Sequence, residues 1–325
     1  MVFYSILLFF IAVIDWVLYV ILTKRLFPES SLRLLWDRKM VTAMTSFSAW
    51  VVVDSLSQML KGQGINIVLN LFFGPVVNSA RGIAYQIMGA VNQFITSFQT
   101  SFRPQLTKSY AEEDYSFMMK LYYSSTKISY FLIFVISLPI LLETEYILHL
   151  WLGSNVPDYT ASFTRIILIT AFVSTFANPT SCIAYATGKI KRMTIVVSSI
   201  MLSIVPLAYL FLKLGGNPDV ALWVSLFVSV IAQVVRILML NRLVDIDLKG
   251  YWKTVVVPTL GCSFIITVIS ILPRLLLNPS FIRLVISVIL ALGLSICVIW
   301  LFGLSVDEKR LAKSKIMSLL GGKKS

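Results

Sequence analysis

Apolar runs of roughly 20 residues recur along the whole chain, separated by short polar stretches rich in turn formers and basic residues. That is the length an α-helix needs to cross a bilayer. The pattern predicts spans at 2–22, from 41 onward, and near 77–103, 121–142, 161–187, 193–213, 219–241, 253–273 and 280–303. The fold class is therefore all-α, a polytopic membrane protein of about nine transmembrane helices. The run at 2–22 reads as a span rather than a cleavable leader: it is too long, with no basic start and no small-residue cleavage site.

Two of these segments break the apolar rule in an ordered way. Asn78, Arg81, Tyr85, Met88, Asn92, Thr96, Gln99 and Arg103 follow one another at steps of three or four. Residues so spaced share one helix face, so a single helix carries a polar stripe about 38 Å long. The preceding helix has Asp54, Gln58 and Lys61 on one face, with Asn66 and Asn70 continuing it past Gly62-Gln63-Gly64. Polar groups at membrane depth are costly, so they face a bundle interior or a water-filled cavity. The stripe favours a wet path. Interhelical hydrogen bonding and, for the two arginines, snorkelling to the interfaces are the plainer alternatives. For Asp54 the plainer alternative is a structural ion pair with Lys61, Lys127 or Arg103. Asp15 is a second acid within an apolar run.

Composition agrees with the pattern. Of 325 residues, 58% are apolar and 13% charged, and the mean hydropathy is +0.85; a soluble domain is about 25% charged. The net charge of +13 would suggest nucleic acid in a soluble protein, but here topology accounts for it. The alternate loops 23–41, 103–120, 187–192 and 242–253, with the tail from 305, hold 20 of the 28 lysines and arginines. The intervening loops near 62–76, 143–160, 214–218 and 274–279 hold only Arg274. Basic loops stay cytoplasmic, which predicts a cytoplasmic C-terminus and an external N-terminus, and hints at upstream spans.

Other features carry less. Pro139, Pro179, Pro206 and Pro258 interrupt helices and free backbone carbonyls, as in the broken helices of transporters. Gly188 reads as a helix C-cap and Gly215-Gly216 as a turn. Cys182, Cys262 and Cys297 are odd in number and lack metal spacing, so they read as small apolar residues. His149 reads as a surface residue. No Ser-His-Asp set, HExxH, phosphate-binding glycine loop or catalytic carboxylate pair is present, so the chain is not expected to be an enzyme or to hold a cofactor or metal.

Four stretches together carry a resemblance: Gly62–Ala84 (GQGINIVLNLFFGPVVNSARGIA), Ser101–Ala111 (SFRPQLTKSYA), Glu145–Phe163 (EYILHLWLGSNVPDYTASF) and Ala184–Lys191 (AYATGKIK). Over roughly residues 40–245 the chain resembles the bacterial polysaccharide flippases, lipid-linked oligosaccharide exporters of the multidrug/oligosaccharidyl-lipid/polysaccharide superfamily. The resemblance implies two pseudo-symmetric six-helix bundles with two extra C-terminal helices. It also implies flipping of undecaprenyl-diphosphate-linked units across the plasma membrane by alternating access. On this alignment 1–22 is the last helix of an otherwise absent first bundle and 23–40 a cytoplasmic loop. Residues 41–241 are the second bundle, 242–304 the extra helices, and 305–325 a basic cytoplasmic tail.

The expected substrate-binding residues are Arg81, Asn78, Tyr85, Asn92, Thr96, Gln99, Arg103, Asn66 and Asn70; Asp54, Gln58 and Lys61 are expected to serve ion coupling. Guanidinium groups suit a diphosphate, and amides and hydroxyls suit sugars. Expected partners are the lipid-linked oligosaccharide diphosphate, membrane lipids, H⁺ or Na⁺, and a missing N-terminal half or polysaccharide-assembly proteins; nucleic acid is not expected. Two alternatives stay open: a drug/cation antiporter of the same superfamily, which wants an acid-lined cavity, and a membrane-embedded polysaccharide polymerase or ligase, which wants larger external loops.

Overall fold

A computed structural model describes residues 2–27, 36–310 and 313. Arg33, Lys315, Lys323 and Lys324, which enter the charge argument, lie outside the described residues. The chain divides into two compact units, residues 1–46 and 47–325. In the first, α1 (Val2–Leu26) is apolar on all its faces and ends on Lys24 and Arg25. α2 (Arg38–Phe73) begins there and runs on into the second unit.

The second unit continues with α3 (Pro75–Ala111), α4 (Tyr115–Leu142), a short α5 (Thr144–Leu152), α6 (Thr160–Ala186), α7 (Lys191–Leu202), α8 (Ile204–Lys213) and α9 (Asp219–Val244). It closes with α10 (Leu248–Tyr251), α11 (Val257–Ser270), α12 (Leu272–Leu276) and α13 (Phe281–Val298), with π-helical turns at Trp252–Val256 and Ile299–Gly303. The described residues are all-helical, with eight helical segments long and apolar enough to cross a membrane. α3 is not among them although it has 37 residues, because its polar stripe lowers its apolarity.

α6 lies at the centre. It packs on α3, α4 and α9, while α7 and α8 pack on α9. Ile65, Val68 and Leu69 bury the later turns of α2 in the same core as Ala80, Ala84, Phe102, Ile183 and Ala232. Phe72 meets Tyr209 edge-on at 5.5 Å. A Cβ on Gly64 would collide with the Val205 side chain, so glycine is what lets α2 approach α8.

Three expected loops prove shorter. The stretch 62–73 is helix, held by the buried Ile65, Val68 and Leu69 against the cost of two glycines; Gly74, at φ 76°, makes the turn, and Pro75 starts α3. α3 passes through Pro104 to Ala111, and Asp114 caps α4 by accepting from the Phe117 N–H. α5 occupies part of 143–160. The glycine turns fall where the sequence puts them: Gly188 has φ 68° and Gly215 φ 93°. Pro206 follows the break between α7 and α8, and Pro258 follows a π-helical turn.

α11 and α13 pack on α4 through Phe131, Phe134, Leu138, Cys262, Ile266, Ala291 and Val298. Two buried ion pairs fasten this group. Glu143, after α4, takes Arg283 Nη2 at 2.6 Å and Nε at 3.1 Å, and Ser287 Oγ at 3.0 Å. Lys127, within α4, pairs with Glu308 at 2.6 Å. Ser305 and Glu308 form a reciprocal capping box, which fixes Glu308 where Lys127 meets it.

Candidate functional site

The polar faces of α2 and α3 border two adjoining cavities. The first, a chamber of about 590 Å³, lies among α2, α3, α6 and α9 with Met201 of α7 at its edge. α2 supplies Asp54, Gln58 and Lys61; α3 supplies Arg103 and Thr107; α6 supplies Asn178, Ser181 and Tyr185; α9 supplies Ser229, Gln233 and Arg236. The second cavity, about 690 Å³, lies between α2 and α3 and is lined by Asn66, Asn78, Arg81 and Tyr85. Gln58 and Lys61 line both.

In the chamber three cations, Lys61, Arg103 and Arg236, face one carboxylate, Asp54. Asp54 accepts from the Tyr185 hydroxyl at 3.0 Å. Among the described residues it makes no ion pair within 4.0 Å, and Lys127 is engaged by Glu308 instead. Arg236 is buried and donates to Gln233 Oε1 at 3.0 Å. Gln99 accepts from Asn178 at 2.7 Å. Gln99 Nε2 and Gln233 Nε2 are buried without a partner among the described residues. A buried polar atom without a partner is costly, so these amides call for water or a ligand.

In the second cavity Arg81 is buried rather than snorkelling. It donates to Asn66 Oδ1, to the Gly62 carbonyl at 3.4 Å and to the Tyr85 hydroxyl at 3.3 Å, and its guanidinium sits 4.6 Å from the Tyr85 ring centre. Asn78 donates to the Asn66 carbonyl at 3.0 Å. Arg81 Nε and Asn78 Oδ1 have no partner among the described residues.

The stripe on α3 is thus divided. Its first part (Asn78, Arg81, Tyr85) lines one cavity, and its last residue, Arg103, the other. Gln99 is tied to the chamber through Asn178. Asn92 and Thr96 lie between, exposed and lining neither, while Val91 and Ile95 pack into an apolar core with Ile133 and Leu168. Asn70 is exposed and lines neither cavity.

Residues 51–210 match the family model described as MatE. That stretch, just under half of the chain, is similar to the MatE transporters, and the eight helical segments long and apolar enough to cross a membrane make the chain a multi-pass membrane protein. No curated protein and no solved structure gives a match. The MatE match covers both cavities except for α9, which supplies Ser229, Gln233 and Arg236 from beyond it. Those three were missed in the sequence because they sit in a strongly apolar run. Their spacing of four and three was the available signal, the same one that marks the α3 stripe.

Proposed function

We propose that the chain exports an undecaprenyl-diphosphate-linked oligosaccharide across the bacterial plasma membrane by alternating access. The observation that carries this reading is the sign of the chamber: three cations against one acid, among amides and hydroxyls. A diphosphate needs charge and several donors at once, and sugars take amide and hydroxyl partners. A cation antiporter would place acids where Lys61, Arg103 and Arg236 stand. In this reading Arg81 is a second anion contact, and the divided stripe is two stations on one path with Lys61 between them. The basic loops lie in the cytoplasm.

Asp54 is the coupling candidate. A carboxylate held by one tyrosine hydroxyl, with no ion pair, is free to take H⁺ or Na⁺ as access alternates.

The test is transport by the full chain in proteoliposomes, offering a lipid-linked oligosaccharide diphosphate and, separately, a cationic dye. Movement of the lipid, lost in Arg236→Gln, is expected. Movement of the dye alone, with Arg236→Gln faster than wild type, replaces the reading with the antiporter.

A further inference from the structure

Where α6 ends and α7 begins, a third cavity of about 480 Å³ is lined by Lys189, Lys191, Arg192, Met193, Met239, Arg242 and Leu243. Four cations from two separate parts of the chain converge there, and among the described residues no acid lines the cavity. None of the four makes an ion pair within 4.0 Å among the described residues. Lys191 instead lies over the Trp50 ring, 5.4 Å from its centre. Like charges gathered without counter-ions repel one another, so the arrangement calls for an anion.

The neighbouring surface says what kind. From Arg242 back along α9, Leu238, Val234, Ile231 and Phe227 follow at steps of four, four, three and four, all exposed. From Arg192 along α7, Ile195, Val196 and Leu202 are exposed in the same way. Arg242 and Arg192 therefore each terminate an apolar track along which a hydrocarbon chain can lie. A soluble anion has no use for such tracks. A lipid has both parts.

We propose that this cavity is a phosphate site for an anionic phospholipid, with its headgroup among Lys189, Lys191, Arg192 and Arg242 and its chains along α7 and α9. Basic pockets between membrane helices recognise lipid headgroups in this way. The uncapped N-terminus of α7, which starts at Lys191, adds partial positive charge to the same place. The site is separate from the transport path and does not depend on the substrate proposed above.

The test is native mass spectrometry of the purified full chain with phosphatidylglycerol and phosphatidylcholine. One tightly held phosphatidylglycerol is expected, with phosphatidylcholine weaker. A basic residue near anionic lipid is worth ~1 kcal/mol, so each cation removed should weaken Kd about fivefold. The pocket variant is Lys189→Gln with Arg192→Gln and Arg242→Gln, which spares Lys191 over Trp50. The charge-matched control is Lys120→Gln, Lys249→Gln and Lys253→Gln, which should bind as wild type. Equal loss in both variants would make the effect diffuse charge and overturn the site. So would equal retention of the two lipids. Displacement by an equal concentration of inorganic phosphate would assign the cavity to a free anion instead. If the triple variant does not fold, Arg242→Gln alone should weaken binding about fivefold and Arg242→Lys should largely restore it; identical binding by both overturns the proposal.

Discussion

The central chamber and the C-terminal helix pair both bury charge, and they treat it in opposite ways. Around α4, α11 and α13 each buried charge has its counterpart: Arg283 with Glu143, Lys127 with Glu308. Serine hydroxyls and a capping N–H take up the carboxylate oxygens left over. Around α2, α3, α6 and α9 three cations share one acid, and among the described residues two amide nitrogens, of Gln99 and Gln233, have no partner. Balanced charge fixes one arrangement and leaves nothing for a ligand to add. Unbalanced charge is tolerable where water or a ligand completes it, and its completion can differ between conformations. On the function proposed above, the helix pair is the part that holds still and the chamber the part that works.

The comparison can be broken most directly at Glu143. Glu143→Ala strands Arg283 in a buried site, and breaking such a pair costs about 3–5 kcal/mol. A large fall in thermal stability of the purified protein is expected, together with easier proteolysis beyond α11. Replacing both partners by leucine removes the stranded charge and should return most of the loss. A mild Glu143→Ala phenotype would mean that the pair is hydrated and the contrast with the chamber is false.

The chamber should respond in the reverse sense. Arg236→Gln removes a buried cation that makes no ion pair among the described residues, so stability should fall far less than in Glu143→Ala, while transport falls sharply. A stability loss matching that of Glu143→Ala would make Arg236 a structural residue. Asp54→Asn keeps the Tyr185 contact but abolishes ionisation. Its expected signature is intact folding with transport that no longer depends on the proton or sodium gradient; unchanged gradient dependence would assign Asp54 to the scaffold.

The two regions also differ in how far the sequence disclosed them. The membrane class and most of the helices follow from apolar runs alone, because bilayer thickness fixes helix length. The turns at Gly188 and Gly215 were legible because left-handed backbone selects glycine. Gly62 and Gly64 misled, since both lie within α2; at Gly64 the glycine serves close packing against Val205 instead of a turn. On the chamber side Asp54, Gln58, Lys61 and Arg103 were readable as one-helix spacings. Spacing within a helix says nothing of which helices meet, so Tyr185 as the partner of Asp54, and Arg236 facing both, needed the fold. The pairs Lys127–Glu308 and Arg283–Glu143 join residues more than 130 positions apart, and no local pattern announces them.

The smallest effect belongs to a third group of charges, which lies between the two regimes. Glu145 on α5 meets Arg165 Nη2 at 3.0 Å and Arg274 Nη2 at 3.7 Å, with its side chain largely in solvent. The Arg165 hydrogen bond, opposed by partial burial and aided by the charges of Arg165, Arg274 and Arg283, holds its carboxyl below the usual glutamate range. A depressed folded-state pKa means the contribution is complete above the unfolded value, near 4.3, and is lost as pH falls through the folded value. Exposed pairs are worth at most about 1 kcal/mol. Glu145→Gln should therefore lower stability only slightly at pH 7, and the difference from wild type should vanish as the pH is taken below 4.3, earlier at high salt. Glu143, sealed among Arg283 and Ser287, should show no such salt sensitivity, since buried pairs are screened far less. Parallel salt dependence for Glu145→Gln and Glu143→Ala would place both acids in one hydrated network and dissolve the distinction between the rigid pair and its surface.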